Sequence, residues 1–375
     1  MKFKANKHDF MRVLSSAKSA YDGKQPLPIL KGVLIDSSCG VVELSVTNLD
    51  ILVKARFDVS TIDYVAGRTV VDYSRLSAVV SSMPDGEIAV CVKTVGKREV
   101  MEIVSGKCRS SLATMPPEEW PTIADVKDGK KVELEAGEIM LAFNSTVHAV
   151  ATTDGRRTLK CSLVEIGNDG KIVVVGTDGT RLAACGDFSK TKPNVTEAVV
   201  PGKLVSAIVD AVKGESGSFK FVTDGKMILV EAAEKPKWTV RGRLIDEEFP
   251  SWRRVVLWNV TESLTVDRNE LCDNFTRALN ANQTAGEYPC VKMKIAHGAI
   301  EIDANGEDCE MHTEMPVKYD LDEIEMLLNP KKVIQALNAA VDDELTMHFT
   351  DGHSPIMFKG ESGTTEVIMP LRVSY

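Results

Sequence analysis

Pro330-Lys331-Lys332-Val333, followed at helical spacing by Ala336, Leu337 and Ala340, repeats an earlier passage of the same chain. Pro201-Gly202-Lys203-Leu204 runs on to Ala207, Ile208 and Ala211, and Tyr73-Ser74-Arg75-Leu76 runs on to Val79, Val80 and Met83. The basic residue recurs at a fixed interval, 128 residues from Arg75 to Lys203 and 129 from Lys203 to Lys332. A second landmark keeps the same register, because Glu118-Glu119-Trp120-Pro121 returns as Glu247-Glu248-Phe249-Pro250. Apolar residues three and four apart share one helical face, so each passage predicts an amphipathic helix led by a cation.

Working outward, each copy also opens on an amphipathic helix, marked by Phe10, Val13, Leu14 and Ala17, by Ile139, Ala142, Phe143 and Val147, and by Leu271, Phe275, Ala278 and Leu279. Between the paired helices lie alternating apolar runs such as Val41-Val42-Glu43-Leu44-Ser45-Val46 and Lys171-Ile172-Val173-Val174-Val175, bounded by Gly, Asp and Asn, which predict strands. A period near 125 residues exceeds that of solenoid repeats, about 20 to 50 residues, and matches a domain. The expected class is α+β, with three similar domains over 1–125, 126–252 and 253–375, each with two helices packed on antiparallel sheets. Apolar periodicity lapses from Met115 to Lys131 and from Asp246 to Asn259, where the junctions are expected. With 375 residues and 43% hydrophobic content, each third can bury a core.

The net charge of -9 announces no global basic field, although a local cationic stripe can hide within an acidic total. No apolar run reaches the length of a membrane span and Met1-Lys2-Phe3-Lys4 lacks a signal-peptide core, so a soluble, cytoplasmic protein with no membrane partner is expected. The eight cysteines are scattered without a C-x-x-C pair and read as small buried hydrophobes rather than metal ligands or redox groups. Cys309 and His312, three apart, lack a second pair of ligands.

Catalytic motifs are missing in the same way. Gly214-Glu215-Ser216-Gly217-Ser218 and Gly360-Glu361-Ser362-Gly363-Thr364 lack the last glycine of a nucleophile elbow and read as hairpin loops. No phosphate-binding loop, H-E-x-x-H or G-x-G-x-x-G occurs, so neither an enzyme nor a cofactor or metal is expected. A binding or scaffold protein is the stronger class.

Several passages in fixed order carry a resemblance: Met1-Lys2-Phe3, Leu27-Pro28-Ile29-Leu30, Thr177-Asp178-Gly179-Thr180-Arg181-Leu182, Phe249-Pro250-Ser251-Trp252-Arg253-Arg254-Val255 and Val367-Ile368-Met369-Pro370-Leu371-Arg372. Over its whole length the chain resembles the bacterial DNA polymerase III beta subunits, the sliding clamps. The resemblance implies a head-to-tail homodimeric ring of six domains around double-stranded DNA, tethering a replicative polymerase. It also implies a clamp loader and repair proteins as further partners. A clamp paralogue or phage-type clamp serving repair or another polymerase is the alternative.

Phosphates facing such a ring favour Lys and Arg through counterion release, without base reading. The cations at the second helices, Arg75, Lys203, Lys331 and Lys332, are the expected contacts, with Arg277, Lys7, Arg12 and Lys18 possible from the first helices. Singly, each reads equally as a solvated helix-end charge. The resemblance adds Lys24, Arg156 and Arg157, the last where the family often has tyrosine.

A second implied site is a peptide cleft formed by Leu159, Thr177, Gly179, Thr180, Arg181, Leu182, Pro250, Arg254 and Val255 with Val367, Ile368, Met369, Pro370, Leu371 and Arg372. An apolar trough with few polar groups suits short linear motifs, although Val367 to Leu371 reads equally as a terminal core strand. Thr180 stands where histidine is common and Lys332 where an aromatic often walls the cleft, and the chain extends beyond Arg372 as Val373-Ser374-Tyr375. At the implied dimer interface the chain offers Ser110, Leu112, Asn280 and Ala281, little apolar area for closing a ring.

Overall fold

A computed structural model of the protein describes all residues except 39, 60, 97, 127–128, 189–194, 234–236, 257–259, 261, 283–288, 307–308 and 373–375. Cys39 and the extension 373–375 therefore lie outside the described residues. One element order occurs three times. The first third holds β1 (Lys2–Asn6), α1 (Lys7–Ser16), β2 (Gly32–Ser38), β3 (Val41–Thr47), β4 (Ile51–Asp58), β5 (Gly67–Asp72), α2 (Tyr73–Ser82), β6 (Glu87–Val95), β7 (Arg98–Ser105) and β8 (Cys108–Met115). The middle third repeats it as β9 (Lys130–Glu135), α3 (Ala136–Asn144), β10 (Cys161–Ile166), β11 (Ile172–Thr177), β12 (Arg181–Cys185), β13 (Thr196–Pro201), α4 (Gly202–Val212), β14 (Ser218–Thr223), β15 (Met227–Ala232) and β16 (Trp238–Arg243). After a short α5 (Arg253–Val256) come β17 (Glu262–Asp267), α6 (Arg268–Ala281), β18 (Val291–Ala296), β19 (Ala299–Asn305), β20 (Glu310–Pro316), β21 (Ile324–Leu328), α7 (Pro330–Ala339), β22 (Glu344–Phe349), β23 (Ile356–Lys359) and β24 (Thr364–Ile368).

Local chemistry fixes where the helices begin. Strands β1, β5 and β17 end on Asn6, Asp72 and Asp267, whose side chains accept from the backbone N–H of His8, Arg75 and Glu270, satisfying first-turn donors that a helix leaves unpaired. Asn329 does the same for Lys331 and Lys332, with Pro330 at the first helical position. The strand-to-helix step is thus written into single polar residues.

The chain divides into two compact units, residues 1–140 with 203–245 and residues 141–202 with 246–375. The middle copy contributes one of its sheet halves to each. The first unit holds a twelve-stranded sheet in the order β1-β6-β7-β8-β5-β2-β3-β4-β16-β15-β14-β9. The second holds an eight-stranded sheet, β13-β10-β11-β12-β24-β23-β22-β17, and a four-stranded sheet, β20-β19-β18-β21. All the recorded pairings are antiparallel, as expected for an α+β protein.

Phe3, Phe10 and Phe57 anchor the first core edge to face, with centroids 5.4 to 6.5 Å apart. In the second unit Leu271, Phe275 and Ala278 of α6 and Val333, Ala336 and Leu337 of α7 share a core with Met293, Ile295, Ile300 and Ile302. Strands β10 and β11 are buried at every position, which explains the unbroken apolar run Ile172 to Val175 in β11.

Three sequence expectations need correction. Val147 is 40% exposed because α3 ends at Asn144 and a separate turn follows. Gly214 to Ser218 connects α4 to β14 rather than two strands, whereas Gly360 to Thr364 does join β23 to β24. Among the cysteines, Cys161 and Cys185 are buried, but Cys108 and Cys309 are exposed; both stand at the starts of strands whose outer edges are open.

Candidate functional site

The T-D-G-T-R passage forms the tight turn between β11 and β12. Thr177 Oγ1 donates to the Arg181 carbonyl at 2.6 Å and accepts from Gly179 N–H at 3.1 Å. Asp178 Oδ1 accepts from the N–H groups of Thr180 and Arg181 at 2.9 and 3.0 Å. Gly179 has φ +86°, a conformation open to glycine at no steric cost. A Cβ there would lie 3.1 Å from Arg156 Nη2 and 3.7 Å from Leu159 Cδ1. The turn therefore leaves a shallow floor beside a guanidinium and an apolar side chain.

Strand β24 runs alongside β12, with Arg181 opposite Ile368 and Leu182 opposite Val367. Beyond it Met369 N–H donates to the Thr180 carbonyl at 3.0 Å, and Leu371 N–H to the Leu327 carbonyl at 2.7 Å. Val367 and Ile368 are each 1% exposed, so these two belong to the core strand and offer no wall to a ligand. Met369 is exposed, Pro370 and Leu371 are half-buried and Arg372 is exposed. The two sequence readings of this run each hold for a different part of it.

Pro250, Arg254 and Val255 are exposed, and α5 is held from behind. Trp252 Nε1 donates to Glu165 Oε1 at 3.1 Å, Arg253 grips both Glu165 oxygens, and the guanidinium carbon of Arg253 lies 4.4 Å from the Trp252 ring centroid. Hydrogen bonding to Glu165 raises the Arg253 pKa above its ordinary value. Sequence reading missed this anchor, although a buried Glu among the apolar residues of β10 was the available signal.

Charges beneath the groove are arranged around one carboxylate. Asp178 meets Arg181 Nε at 3.1 Å and Lys332 Nζ at 3.3 Å, and Lys332 also bonds the Thr180 hydroxyl. Burial opposes the ionised form of Asp178, but the Thr180 hydrogen bonds and the two cations together hold its pKa below the ordinary carboxylate value. Arg181 further donates to the Gln335 side chain and the His148 carbonyl. Deeper still, His148 Nε2 lies 3.1 Å from Glu366 Oε2. Desolvation pushes His148 down to about 4, so it is uncharged near neutral pH, and raises Glu366 well above its ordinary value.

The sequence-predicted cations fall into two groups. Lys24, Arg75, Lys203, Arg277 and Lys331 are exposed, and none of their side chains forms an ion pair among the described residues. Arg157 is 72% exposed with Glu247 3.8 Å away. The others are engaged elsewhere. Lys7 donates to the Met83 carbonyl and pairs with Asp85, and Arg12 pairs with Glu215 at 2.6 Å over the Trp238 ring. Lys332 is held by Asp178, and Arg156 lies against the Gly179 floor and pairs with Asp154. Lys332 and Arg156, expected to face a duplex, are thus engaged at the Thr177–Arg181 turn.

Edges decide what can join the chain to another copy. In the first unit β4 pairs with β16, and in the second β12 pairs with β24; the strands in the same roles elsewhere are β20 and β8. Strand β20 terminates its sheet, and β8 meets β5 only through Thr114 and Met115. On these edges Arg109 and the adjoining Lys107 are exposed on one, and Glu310 and Glu314 on the other. Ser110 is half-buried and Asn280 exposed, but Leu112 and Ala281 are each 9% exposed. Those last two are occupied by their own cores, which corrects their expected part in an interface.

Three eight-stranded, two-helix copies joined strand to strand define the architecture of a DNA clamp. Profiles of the DNA polymerase III beta subunit match residues 1–124 as its N-terminal domain, 133–251 as its central domain and 253–372 as its C-terminal domain. The beta sliding clamps of Proteus mirabilis and of Escherichia coli K12 are each 26% identical over the full length of both chains. The solved DNA polymerase III beta subunit of Thermotoga maritima covers all of both chains with a TM-score of 0.87 at 22% identity. A Pseudomonas aeruginosa clamp crystallised with griselimycin gives 0.88, also at 22% and over both whole chains. The chain belongs to the DNA polymerase III beta subunit family, the sliding clamps.

Proposed function

We propose that two copies of this chain close head to tail into a ring around duplex DNA and tether a polymerase, with no catalytic site of their own. The observation carrying this reading is the seam that recurs as β4–β16 and β12–β24 and leaves β20 and β8 unmet. A second copy completes the series by laying its β8 on β20, and the basic and acidic edges favour that pairing. The seam is made of backbone hydrogen bonds, so it asks for less apolar area than the sequence suggested. The domain limits 1–125, 126–252 and 253–375 would make up three of the ring's six domains.

The cations support the choice of ligand. Arg75, Lys203 and Lys331 stand in the first turns of α2, α4 and α7, where the helix dipole is already positive. Helix stability favours acids there, whereas phosphate is favoured by dipole and cation together. Contacts of this kind read no sequence, as sliding requires. Lys24, Arg157 and Arg277 extend the set. The groove of Gly179, Thr180, Val255, Met369 and Leu371 would take short peptides from polymerase, loader and repair proteins in the cytoplasm, whereas Leu159 and Leu182, 1% and 3% exposed, are as buried as Val367 and Ile368. No helix among the described residues is long and apolar enough to cross a membrane.

Topological binding has a direct test. Protein loaded on a nicked circular plasmid and passed through a gel-filtration column should travel with the DNA and fall off when one restriction cut linearises it. Retention on the linear product, or failure to load with the cognate loader, would contradict the ring.

A further inference from the structure

We propose that Lys332 sets the peptide specificity of the groove by exchanging Asp178 for a carboxylate on the docking peptide, next to that peptide's apolar anchor. This deepens the groove reading and rests on it.

The argument begins with a charge count. Lys332 and Arg181 share the single carboxylate of Asp178, and burial disfavours the charged form of the nearby Glu366. Two cations therefore lean on one carboxylate. Arg181 cannot take up a ligand, because its remaining nitrogens are held by Gln335 and the His148 carbonyl and its side chain is 11% exposed. Lys332 is the more accessible cation, with 27% of its side chain exposed on the first turn of α7.

Position matters as much as charge. The Thr180 hydroxyl bonds Lys332, and the Thr180 carbonyl accepts from Met369 N–H. The ammonium and the exposed methionine thus meet at one residue, so a peptide seated on Met369 passes Lys332. If Lys332 turns to the peptide, Asp178 still keeps Arg181, and no buried charge is left bare. The equivalent cations of the other copies, Arg75 and Lys203, make no side-chain ion pair among the described residues, so this arrangement is particular to Lys332.

The test is a synthetic peptide array with two fixed leucine anchors and every residue type at the flanking positions, probed with the full-length protein. Binders should favour Asp or Glu at one flanking position, with about a tenfold advantage over Asn or Gln at low salt that shrinks as salt rises. Lys332→Met should abolish the advantage while keeping the melting temperature, and Lys332→Arg should preserve it. Groove binders with no acidic preference, or a preference that survives Lys332→Met, would overturn the role of Lys332 and leave the groove intact. Binding insensitive to Met369→Ala would instead overturn the groove reading, and the inference with it.

Discussion

The turns Thr47–Ile51 and Thr177–Arg181 share one hydrogen-bond plan and carry different chemistry. In the first, Thr47 Oγ1 donates to the Ile51 carbonyl at 2.8 Å, and Asn48 Oδ1 accepts from the N–H groups of Asp50 and Ile51, as Thr177 and Asp178 do in the second. The joining strand makes the same exit bond, from Arg243 N–H to Asp50 O and from Met369 N–H to Thr180 O. Several replacements separate the two places, Asp50 to Thr180 and Ile51 to Arg181 in the turn among them, and four more bear on the chemistry. Leu49 becomes Gly179, Asn48 becomes Asp178, Arg243 becomes Met369, and Val240, opposite Val53, becomes Glu366, opposite Ala183. The first copy covers its turn with a side chain and an exposed charge. The second opens a floor, places an apolar wall beside it and gathers two cations on one carboxylate. The same backbone turn thus serves as a plain joint in one copy and as the proposed groove in the other.

Filling the floor should have the largest effect. Gly179→Leu, which restores the first copy's residue, places a Cβ within 3.1 Å of Arg156 Nη2 at φ +86°. Strain of about 1–2 kcal/mol is expected, with peptide affinity falling at least about tenfold by fluorescence anisotropy. Unchanged affinity would detach the groove from this turn.

Glu366→Gln sharpens the comparison through pH. In the folded chain Glu366 keeps its proton above the ordinary value of 4.5. Its contribution is present below that value and is lost as pH rises towards its raised pKa. His148 has the opposite sign, because its pKa falls from 6.5 to about 4; its contribution is present above 6.5 and lost as pH falls towards 4. Glu366→Gln should therefore gain stability as pH rises above 4.5 and gain little below it, as read by denaturant melts. An equal gain on both sides of 4.5 would remove ionisation as the cause.

Leu49→Gly should have the smallest effect. Leu49 is a non-glycine residue at φ +78°, a conformation that disfavours a Cβ. Relief of strain against the added freedom of the unfolded chain leaves a gain of up to about 1 kcal/mol. Leu49→Ala, which keeps its Cβ, should show none; equal melting temperatures for the two variants would argue against strain at this turn.

Much of this was legible in the sequence because repetition supplies its own control. The recurring cation and helix face fixed two helices per copy, and Val41–Val46 and Ile172–Val175 fall within β3 and β11. The Thr177–Arg181 corner entered the sequence reading only through the family resemblance. Pairing between distant strands was not legible, since the partners of β4 and β12 are set by tertiary register rather than local pattern. That is why the open edges of β8 and β20 went unread and Leu112 and Ala281 were expected at an interface. Side-chain partners were equally hidden: nothing local says that Asp178 holds Lys332, that Glu215 holds Arg12, or that Glu366 is buried beside His148.

The measurement closest to the central claim is sedimentation over a dilution series for the protein and for Arg109→Glu, which puts an acid on the β8 edge that must meet acidic β20. The unaltered chain should sediment at twice 40.9 kDa, and Arg109→Glu should shift it towards the single-chain mass at concentrations where the parent stays paired. A parent monomeric throughout, or a dimer indifferent to Arg109→Glu and to disruption of β20, would contradict closure through these two edges.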